Sequence, residues 1–366
     1  METVVVGMSG GVDSSVTAYL LKKQGYNVIG LFMLNWEETD ENKNCTAEGD
    51  FEDVKRVCNN IGIPYYTVNY SKEYQQKVFS TFLQDLEKGK TPNPDVLCNR
   101  EIKFGPFLKF AKQIGANYIA TGHYAKIEKN NNEFFLKKAK DKNKDQSYFL
   151  NQLSQDQLAL VLFPLQDITK PEVREIAKKL ELCTAQKKDS TGICFIGERN
   201  FKDFLKNYLS AQSGQILTNT GKIVGTHCGL INYTIGQRKG LGIGGRNDGN
   251  GKPWYVTKKD VLNNILYVSQ GENFQLFSNG LYASQFNWIP SEKTANEILK
   301  KNNYECFAKF RYLQNDSKVK IQNLFNGKIK ATFINAERAI TPGQYIVLYD
   351  NQENCLGGGV IDEAIF

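Results

Sequence analysis

The loop GMSGGVDSS at residues 7–15 limits the folds open to this chain more than any other segment. The β-branched residues 4–6 before it predict a short buried strand, and the apolar spacing that starts at Val12 predicts a helix that ends near Gly25. A strand, a glycine turn and a helix N-terminus therefore follow one another. Such a turn favours anions, because unpaired N–H groups and the positive end of the helix dipole point out of it.

The glycines and serines of this turn do not match two common phosphate-binding loops. The motif G-x-x-x-x-G-K-[ST] needs a lysine, and none follows Gly11. The motif G-x-G-x-x-G needs a different glycine spacing. The sequence S-G-G-V-D-S at 9–14 instead resembles the pyrophosphate loop of the ATP pyrophosphatase superfamily. Enzymes of that superfamily split ATP between its α and β phosphates and leave AMP on an oxygen of the substrate.

Composition disfavours several classes of protein. A chain of 366 residues predicts two or three domains, and 41% hydrophobic with 23% charged residues is typical of a soluble globular protein. Apolar runs fall short of the roughly 18 residues that a membrane helix needs. The first predicted strand leaves no room for a targeting peptide, so we expect a cytoplasmic protein with no membrane partner. Eight cysteines without a C-x-x-C pair, and only two histidines, disfavour a zinc ribbon or a histidine-rich metal site.

Strands and helices alternate along the first part of the chain, which predicts an α/β fold with a doubly wound parallel sheet. We expect strands at 27–34, 63–70 and 117–125, helices at 51–61, 71–88 and 105–115, and a polar loop at 35–50. Ligands bind outside the carboxyl ends of such strands. The loops 7–15, 33–38 and 121–125 all follow strands, so we expect them to converge on one site.

The rest of the chain has a different composition. Residues 205–274 are glycine-rich and carry eight Lys and Arg against three Asp and Glu, a net charge of +5, which favours contact with a polyanion. From about residue 280, short alternating strands separated by turns such as Asn326-Gly327 predict a small antiparallel β-barrel. We therefore predict three domains, with boundaries 1–204, 205–274 and 275–366.

Two cysteines have sequence neighbours that favour a reactive thiol. Cys98 follows a proline-rich loop at the predicted start of a helix, and Arg100 and Lys103 come soon after it. Both a helix N-terminus and nearby cations lower the pKa of a thiol. Cys194 lies in the segment KKDSTGICFIGERNF, which has cations on both sides. The other cysteines are expected to be small core residues, except Cys45, whose polar surroundings leave its role open.

The motifs occur in an order that resembles the tRNA-specific 2-thiouridylase family along essentially the whole chain. They are S-G-G-V-D-S at 9–14, P-D-x-x-C-N at 94–99, T-G-H-Y at 121–124, K-D-Q-S at 144–147, G-I-C-F-I-G at 192–197 and T-I-G-Q-R at 234–238. This resemblance implies an adenine nucleotide α-hydrolase-like first domain, a small central domain and a C-terminal antiparallel β-barrel. It also implies ATP, Mg²⁺ and tRNA, and a cysteine desulfurase or sulfur-relay protein that donates persulfide sulfur.

The same resemblance implies a reaction. ATP adenylates O2 of the wobble uridine in tRNAs for Lys, Glu and Gln, and pyrophosphate leaves. A cysteine persulfide then delivers sulfur to C2 and AMP departs. Cys194 matches the persulfide carrier, and Cys98 matches the nucleophile that resolves it through a transient Cys98–Cys194 disulfide. Asp95 lies three residues before Cys98 and is placed with the catalytic residues, beside the flipped base.

The resemblance also implies the binding residues. The implied ATP-binding residues are Gly7, Met8, Ser9, Gly10, Gly11, Val12, Asp13, Ser14, Met33 and Gly122. The residues implied to contact tRNA are Asn93, Pro94, Asp95, His123, Lys144, Asp145, Gln146, Arg311, Tyr312 and Gln344. No dedicated metal ligand is predicted. Asp13 is either an outer ligand of Mg²⁺ or a cap of the first helix, and His123 either contacts tRNA or makes a structural hydrogen bond.

The residues alone leave three alternatives open. Amidotransferase-type synthetases and tRNA lysidine-type ligases share S-G-G-x-D-S, attack the adenylate with an amine and need no paired thiols. A nucleotide-gated RNA-binding protein would bind ATP without releasing AMP and pyrophosphate. An iron–sulfur cluster held partly by Cys98 and Cys194 would be a different sulfur route. The sequence does not identify the sulfur donor, the oligomeric state or the tRNA preference.

Overall fold

The computed structural model describes residues 1–37, 46–189, 201–244, 251–271, 273–301, 303–324 and 326–366. Within these ranges, no helix is both long enough and apolar enough to span a membrane. Cys45 and Cys194, together with the G-I-C-F-I-G motif at 192–197, lie outside the described residues.

The first part of the chain is built around one parallel sheet. The strands of this part of the chain are β1 (Thr3–Met8), β2 (Asn27–Leu34), β3 (Tyr65–Asn69), β4 (Tyr118–Ala120), β5 (Lys126–Asn130), β6 (Glu133–Lys137) and β7 (Val161–Leu162). Strands β5 and β6 form a separate antiparallel pair. The helices of this part are α1 (Val12–Lys23), α2 (Thr46–Ile61), α3 (Ser71–Glu73), α4 (Ser80–Glu87), α5 (Pro94–Cys98), α6 (Pro106–Gln113), α7 (Gln155–Leu158) and α8 (Lys170–Lys179). The sheet order is β3-β2-β1-β4-β7, with every pair parallel. The predicted doubly wound parallel sheet is thus confirmed.

Both faces of this sheet are buried, and β1 shows why. Val4 and Val6 belong to the apolar cluster formed with α1, α2 and α8. Val5, which points to the opposite face, belongs to the cluster formed with α4, α5 and α6. A strand that is covered on both faces is apolar at consecutive positions, which is the pattern of residues 4–6.

Two local expectations differ from the structure. Helix α2 begins at Thr46, so residues 46–50 are helical where a polar loop was predicted. The predicted helix at 71–88 is interrupted in its hydrogen bonding, because a π-helical stretch, Tyr74–Phe79, joins α3 to α4. The sequence pattern identifies the apolar face of such a segment, but it does not distinguish α-helical from π-helical hydrogen bonding.

The second part of the chain is a short helix followed by a small sheet. Its elements are α9 (Phe201–Lys206), β8 (Gly214–Thr218), β9 (Ile223–His227), β10 (Trp254–Asp260) and β11 (Ile265–Gln270). The sheet order is β10-β11-β8-β9. The buried side chains of Ile216, Val256 and Leu266 belong to its own apolar core.

The third part is a closed barrel. Its elements are β12 (Phe277–Trp288), α10 (Glu292–Lys300), β13 (Tyr304–Lys309), β14 (Ser317–Asn323), β15 (Ile329–Arg338), β16 (Tyr345–Tyr349) and β17 (Cys355–Ile365). The strands close in the order β12-β15-β14-β13-β16-β17, and all of these pairs are antiparallel. This confirms the predicted C-terminal antiparallel barrel.

The barrel packs directly on the first part of the chain. Tyr345, Val347 and Tyr349 of β16 are buried in the same apolar cluster as α5. Backbone contacts reinforce the junction, because the Thr91 N–H donates to the Pro342 carbonyl at 2.9 Å. The barrel therefore fixes the segment that leads into α5.

Closure of the barrel is expected to depend on Gly357, which has a φ of +125° and faces the Asn287 carbonyl of β12. In Gly357→Ala, the new Cβ would collide with that carbonyl, so β12 must move. We expect a loss of roughly 1–3 kcal/mol beyond the cost of the backbone conformation itself. Urea unfolding measures this loss.

Gly221→Ala is the matched control, because Gly221 also has a positive φ, +84°, but no atom lies within 4 Å of an added Cβ. It should show only the conformational cost of about 1–2 kcal/mol. Equal destabilisation of the two variants would contradict the close contact at Gly357.

Candidate active site

The S-G-G-V-D-S segment, hereafter the SGGVDS loop (residues 9–14), joins β1 to α1. Gly11 is the N-cap of α1 in an extended conformation, with φ −95° and ψ 164°. Gly10 has a φ of +74°, and a Cβ there would lie 2.6 Å from the Asp50 carbonyl oxygen. Glycine at position 10 is therefore required both by the backbone conformation and by the close approach of α2.

The serine hydroxyls of this loop differ in their surroundings. Ser14 and Ser15 are buried, and their hydroxyls donate to the Gly11 carbonyl at 3.1 and 2.8 Å. Ser9 is exposed, and its Oγ accepts from the Gly11 N–H at 3.4 Å. The hydroxyls of Ser14 and Ser15 therefore fix the loop's own backbone. Ser9 remains on the accessible side.

The loops after β1 and β4 meet at the carboxyl edge of the sheet, as expected for these two loops. A Cβ on Gly122, just after β4, would lie 2.8 Å from the Ser14 nitrogen. A Cβ on Gly7 would lie 3.3 Å from Cε of Met33 at the end of β2. The Met8 and Met33 side chains are buried in the two apolar clusters. Gly122 thus lets the loop after β4 approach the SGGVDS loop, and Gly7 lets the Met33 side chain pack against β1.

The carboxylate of Asp13 points away from the helix N-terminus. Helix α1 has no side-chain cap hydrogen bond, so the alternative that Asp13 caps the helix is wrong. Instead, the Lys170 Nζ donates to both carboxylate oxygens at 2.7 Å, and the Tyr124 hydroxyl donates to Oδ1 at 2.8 Å. Burial, followed by the Asp13 charge, raises the pKa of Tyr124. Tyr124 therefore keeps its proton and acts as a donor.

Lys170 connects this carboxylate to a second one. Its Nζ lies 2.9 Å from Oδ1 of Asp189, which also accepts from Arg174 at 2.7 Å, while Oδ2 accepts from Lys144 at 2.7 Å. Burial alone would raise the pKa of Asp189, but the hydrogen bonds and charges of Lys144 and Lys170 outweigh it and hold the pKa at about 2. Asp189 is therefore ionised at neutral pH, and it lies five residues before Cys194.

Lys170 and Asp189 are site residues that our sequence reasoning missed. One signal was present, because Lys170 is the first residue of α8. A cation at a helix N-terminus opposes the helix dipole and needs a compensating anion nearby. The sequence does not reveal which anion, since Asp13 is 157 positions away.

Cys98 is buried, at 0% exposure, in the apolar cluster below the barrel. It is the last residue of α5, which starts at Pro94 and continues as a π-helical stretch to Lys103. Asn93 caps this helix, accepting from the Asp95 and Val96 N–H groups at 3.2 and 3.4 Å. Cys98 therefore lies at the end of the first turn, not at the start of the helix as we predicted.

His123 is buried next to Thr121, with Nδ1 2.7 Å from the threonine hydroxyl. The Phe104 and Phe163 rings pack near it, each with a centroid distance of 6.1 Å. Burial, with a smaller contribution from the Lys103 charge, holds the pKa of His123 well below its usual range. The imidazole is therefore neutral at physiological pH, and the structural hydrogen bond that we considered for it is present.

The segment 144–146 is held by internal contacts. Asp145 is 4% exposed, and its carboxylate accepts from the Ala139 N–H at 3.0 Å and the Ser147 hydroxyl at 2.8 Å. Gln146 accepts from the Tyr124 N–H at 3.1 Å. Of the three residues, only Lys144 has a side chain that is more than one-third exposed.

The three barrel residues proposed to contact tRNA lie at the junction with the other parts. Arg311 donates to the Ile235 carbonyl at 3.4 Å and to the Thr341 hydroxyl at 3.1 Å. Gln344 donates to the Thr91 carbonyl at 2.7 Å, two residues before Asn93. The Tyr312 hydroxyl lies 3.5 Å from the Lys144 carbonyl oxygen. The fold thus brings Arg311, Tyr312 and Gln344 near the segments around 91–95 and 144–146.

The arrangement suits a nucleotide polyphosphate more clearly than a resident metal. The N-terminus of α1, with the exposed Ser9 just before it, is the kind of place where a protein binds an anion. Among the described residues, no group of three or more His, Cys, Asp or Glu side chains could hold a metal ion. Both Asp13 oxygens are already paired. Mg²⁺ in such a site would be held mainly by phosphate oxygens and water.

Protein-family models match the chain in three consecutive segments. They are described as the tRNA methyl transferase HUP domain for residues 2–198, the tRNA methyl transferase PRC-barrel domain for 202–270, and the aminomethyltransferase β-barrel domain for 278–361. The matches thus cover nearly the whole chain in the order of its three structural parts.

Curated relatives match over nearly their full length. Their names describe tRNA 2-thiouridylation, not the methyl transfer that the descriptions of the family models mention. A tRNA-specific 2-thiouridylase MnmA from Staphylococcus epidermidis is 57% identical over 363 residues, 99% of this chain and 95% of the relative. The protein of that name from Bacillus subtilis is 55% identical over 362 residues, 99% of this chain and 95% of the relative. Among solved structures, the U34-tRNA thiolase NcsA from Methanococcus maripaludis is 21% identical, with a TM-score of 0.33 over 50% of this chain and 58% of that one.

Gly122 should be essential for nucleotide binding. In Gly122→Ala, the added Cβ would lie within 2.8–3.0 Å of the Asp13 and Ser14 backbone, so the SGGVDS loop must shift. Because misplacing reacting groups by about 1 Å costs roughly 100-fold in rate, we expect a loss of that order in ATP turnover. Pyrophosphate release measures it. Gly49→Ala, in α2 with open space around the new Cβ, should turn over normally.

The buried neutral His123 should make stability depend on pH. Its folded pKa lies below the unfolded value near 6.5, so as the pH falls below about 6.5 only the unfolded state gains a proton. The free energy of unfolding should then fall by up to about 1.4 kcal/mol per pH unit. Urea unfolding of His123→Asn between pH 7 and 5 should show a correspondingly smaller slope. Parallel pH profiles of the two proteins would contradict the buried neutral imidazole.

Proposed function

The chain belongs to the tRNA-specific 2-thiouridylase family, and we propose how its own residues carry out that reaction. It is an ATP-dependent sulfurtransferase that converts uridine in tRNA to 2-thiouridine. We propose that the target is the wobble uridine of tRNAs for Lys, Glu and Gln. The observation that carries the proposal is the close approach of Gly122, just after β4, to the SGGVDS loop, because it brings both loops to the carboxyl edge of the sheet, where ligands of such sheets bind.

ATP is proposed to bind with its phosphates at the N-terminus of α1, against residues 7–14, and with its nucleoside between Met33 and Gly122. The exposed Ser9 hydroxyl and N–H groups of the first turn of α1 would hold the phosphates, since a helix N-terminus favours anions. O2 of the uridine attacks the α-phosphorus, the bond to the bridging oxygen breaks, pyrophosphate leaves, and the uridine loses its N3 proton to solvent. Mg²⁺, when bound, would neutralise the charge of the pyrophosphate. Asp13 is proposed as an outer ligand of that ion through water.

The uridine is proposed to leave its stack and bind beside α5. Asn93, Pro94 and Asp95 form the start of this helix, and Asn93 and Asp95 are only partly buried. Flipping the base out of the anticodon loop is needed because the C2 atom is otherwise inaccessible to a protein thiol. The remaining proposed tRNA contacts are His123, Lys144, Asp145, Gln146, Arg311, Tyr312 and Gln344. Asp145 and His123 are buried, so we assign them the role of holding the exposed Lys144 and the loop after β4 in place.

Sulfur transfer is proposed to use two thiols in sequence. The terminal sulfur of a Cys194 persulfide attacks C2, the bond from C2 to the adenylated oxygen breaks, and AMP leaves. Cys98 then attacks the Cys194 sulfur as a thiolate. The bond between the Cys194 sulfur and the sulfur on C2 breaks. The sulfur that stays on C2 becomes the thiocarbonyl, and a Cys98–Cys194 disulfide remains. An external thiol must reduce that disulfide before the next cycle.

Further parts of the proposal concern partners and boundaries. The persulfide on Cys194 would come from a cysteine desulfurase or a sulfur-relay protein, and a cytoplasmic location would give access to both the donor and tRNA. The three structural parts are proposed to correspond to domains 1–204, 205–274 and 275–366. The central domain, with its net charge of +5, would contact tRNA through the loop Gln237-Arg238-Lys239.

The two thiols should fail at different steps when replaced. Cys194→Ser should adenylate tRNA but acquire no persulfide from a donor, because the carrier is gone. Cys98→Ser should load persulfide on Cys194 but release no 2-thiouridine, because nothing resolves the mixed disulfide. Wild-type protein should form a Cys98–Cys194 disulfide in a single turnover without reductant. Peptide mapping and nucleoside mass spectrometry measure these outcomes.

Cys183→Ser is the control, because Cys183 is exposed and has no proposed role. It should thiolate tRNA at the wild-type rate. A persulfide on another cysteine, or full thiolation by either Cys98→Ser or Cys194→Ser, would refute the assignment. An amine-dependent reaction would instead leave both serine variants active.

A further inference from the structure

A cavity of about 460 Å³ lies where the three parts of the chain meet, and it shares no residue with the SGGVDS loop. Its walls come from the turn after α4 at 88–90, from β10 at 257–259 and from the barrel at 339–342 and 362–364. Cavities of this volume are typical of ligand sites, and sites between domains are common. The junction is therefore not filled by the side chains that form it.

The unusual group in this cavity is Lys259. Within the part of the chain that the structure describes, its Nζ is buried from solvent and has no hydrogen-bond partner. Burial lowers the pKa of Lys259 to about 8, so most of the population is still an ammonium at pH 7. A buried charge without a counter-ion is among the least favourable arrangements in a protein interior. Such a group needs either a partner or a function.

The charges around the cavity favour an anionic partner. Lys88, Lys90 and Lys258 line the same walls as Lys259. Two carboxylates, Asp362 and Glu363, also line it. Neither carboxylate provides the missing partner. A carboxylate close to Lys259 would raise the pKa of its ammonium, whereas among the described residues burial is the one influence on that pKa, and it lowers it.

The Asp362 carboxylate is in fact engaged elsewhere, because its Oδ1 accepts from the Ser284 hydroxyl at 2.9 Å. The cavity is also lined by Ile235, from the T-I-G-Q-R segment, and by Thr341. Both contact the guanidinium of Arg311, at 3.4 and 3.1 Å. The cavity thus adjoins residues that we propose to contact tRNA.

We propose that this cavity binds a phosphate group, and that the buried Lys259 ammonium turns from the cavity wall into the cavity to become its central ligand. A phosphate offers several acceptor oxygens and the negative charge that Lys259 lacks. The volume leaves space for the atoms attached to such a group. The phosphate is either part of a tRNA backbone or free inorganic phosphate. The tRNA source rests on the proposed function, whereas the inorganic source does not.

Lys259→Met tests the site through stability, without any enzymatic readout. Without anion, the variant should unfold at a higher urea concentration than the wild type, because an unpaired buried charge is removed. Inorganic phosphate, at an ionic strength matched with chloride, should raise the urea midpoint of the wild type but not of the variant if it enters the site. Lys318→Met, on an exposed part of β14, should respond to phosphate as the wild type does. Lys259→Gln repeats the test if the Met variant does not fold.

Binding of unmodified tRNA, measured at several salt concentrations, identifies the source of the phosphate. If a backbone phosphate enters the cavity, Lys259→Met should raise the Kd about ten-fold or more. It should also reduce the log–log salt slope by about one. If inorganic phosphate is the occupant, tRNA binding should be unchanged while the stabilisation by phosphate is lost.

Two results would overturn the inference. One is a lower urea midpoint for both Lys259→Met and Lys259→Gln without anion, which would mean that the ammonium has a partner in the protein. The other is an equal response of wild type and variant to both phosphate and tRNA. Failure of the wild type to bind tRNA would instead count against the proposed function, and the phosphate measurement would still decide the site.

Discussion

The bridge that Lys170 makes between Asp13 and Asp189 fixes the geometry of the site. Its ammonium is nearly buried at the N-terminus of α8, where both desolvation and the helix dipole disfavour a cation. Two carboxylates from distant parts of the chain compensate for this. The lysine in turn offsets the electrostatic repulsion between the two carboxylates, since its ammonium lies between them. The bridge therefore holds α1, with the SGGVDS loop at its start, at a fixed position against α8. It also holds Asp189, the last described residue before the Cys194 segment.

Local patterns predicted the parts of the fold that local physics determines. Consecutive apolar residues at 4–6 predicted a strand covered on both faces, and the glycine turn before Val12 predicted the start of α1. The position of Cys98 could have been predicted better, because Asn93 followed by Pro94 is a helix-start signal four residues earlier. The partners of Asp13 could not be predicted, since Tyr124 and Lys170 lie 111 and 157 positions away. Sequence spacing carries no information about which distant charges meet.

The second and third parts of the chain shape the site without supplying its central loop. Thr91 receives contacts from Pro342 and Gln344 of the barrel, and α5 begins three residues later. Arg311 joins the barrel to Ile235 of the central part. Proposed tRNA-contacting side chains therefore also maintain the junction, so their substitution will alter both binding and the relative placement of the three parts. The large apolar cluster shared by α5 and β16 makes the barrel a structural support for Cys98.

The two halves of the proposed chemistry have opposite requirements for water, and the fold separates them accordingly. A polyphosphate site must be open to exchange ATP and pyrophosphate, and Ser9 and Gly11 are on the accessible side of their loop. An adenylated base and a persulfide both react with water or stray thiols, so sulfur transfer benefits from a site that excludes solvent. Cys98 is at 0% exposure, under the barrel. The cluster that packs α1 lies on one face of the sheet, and the cluster that buries Cys98 lies on the other, with β1 contributing to both. Packing on one face therefore orders the SGGVDS loop, while packing on the other keeps the Cys98 thiol away from solvent.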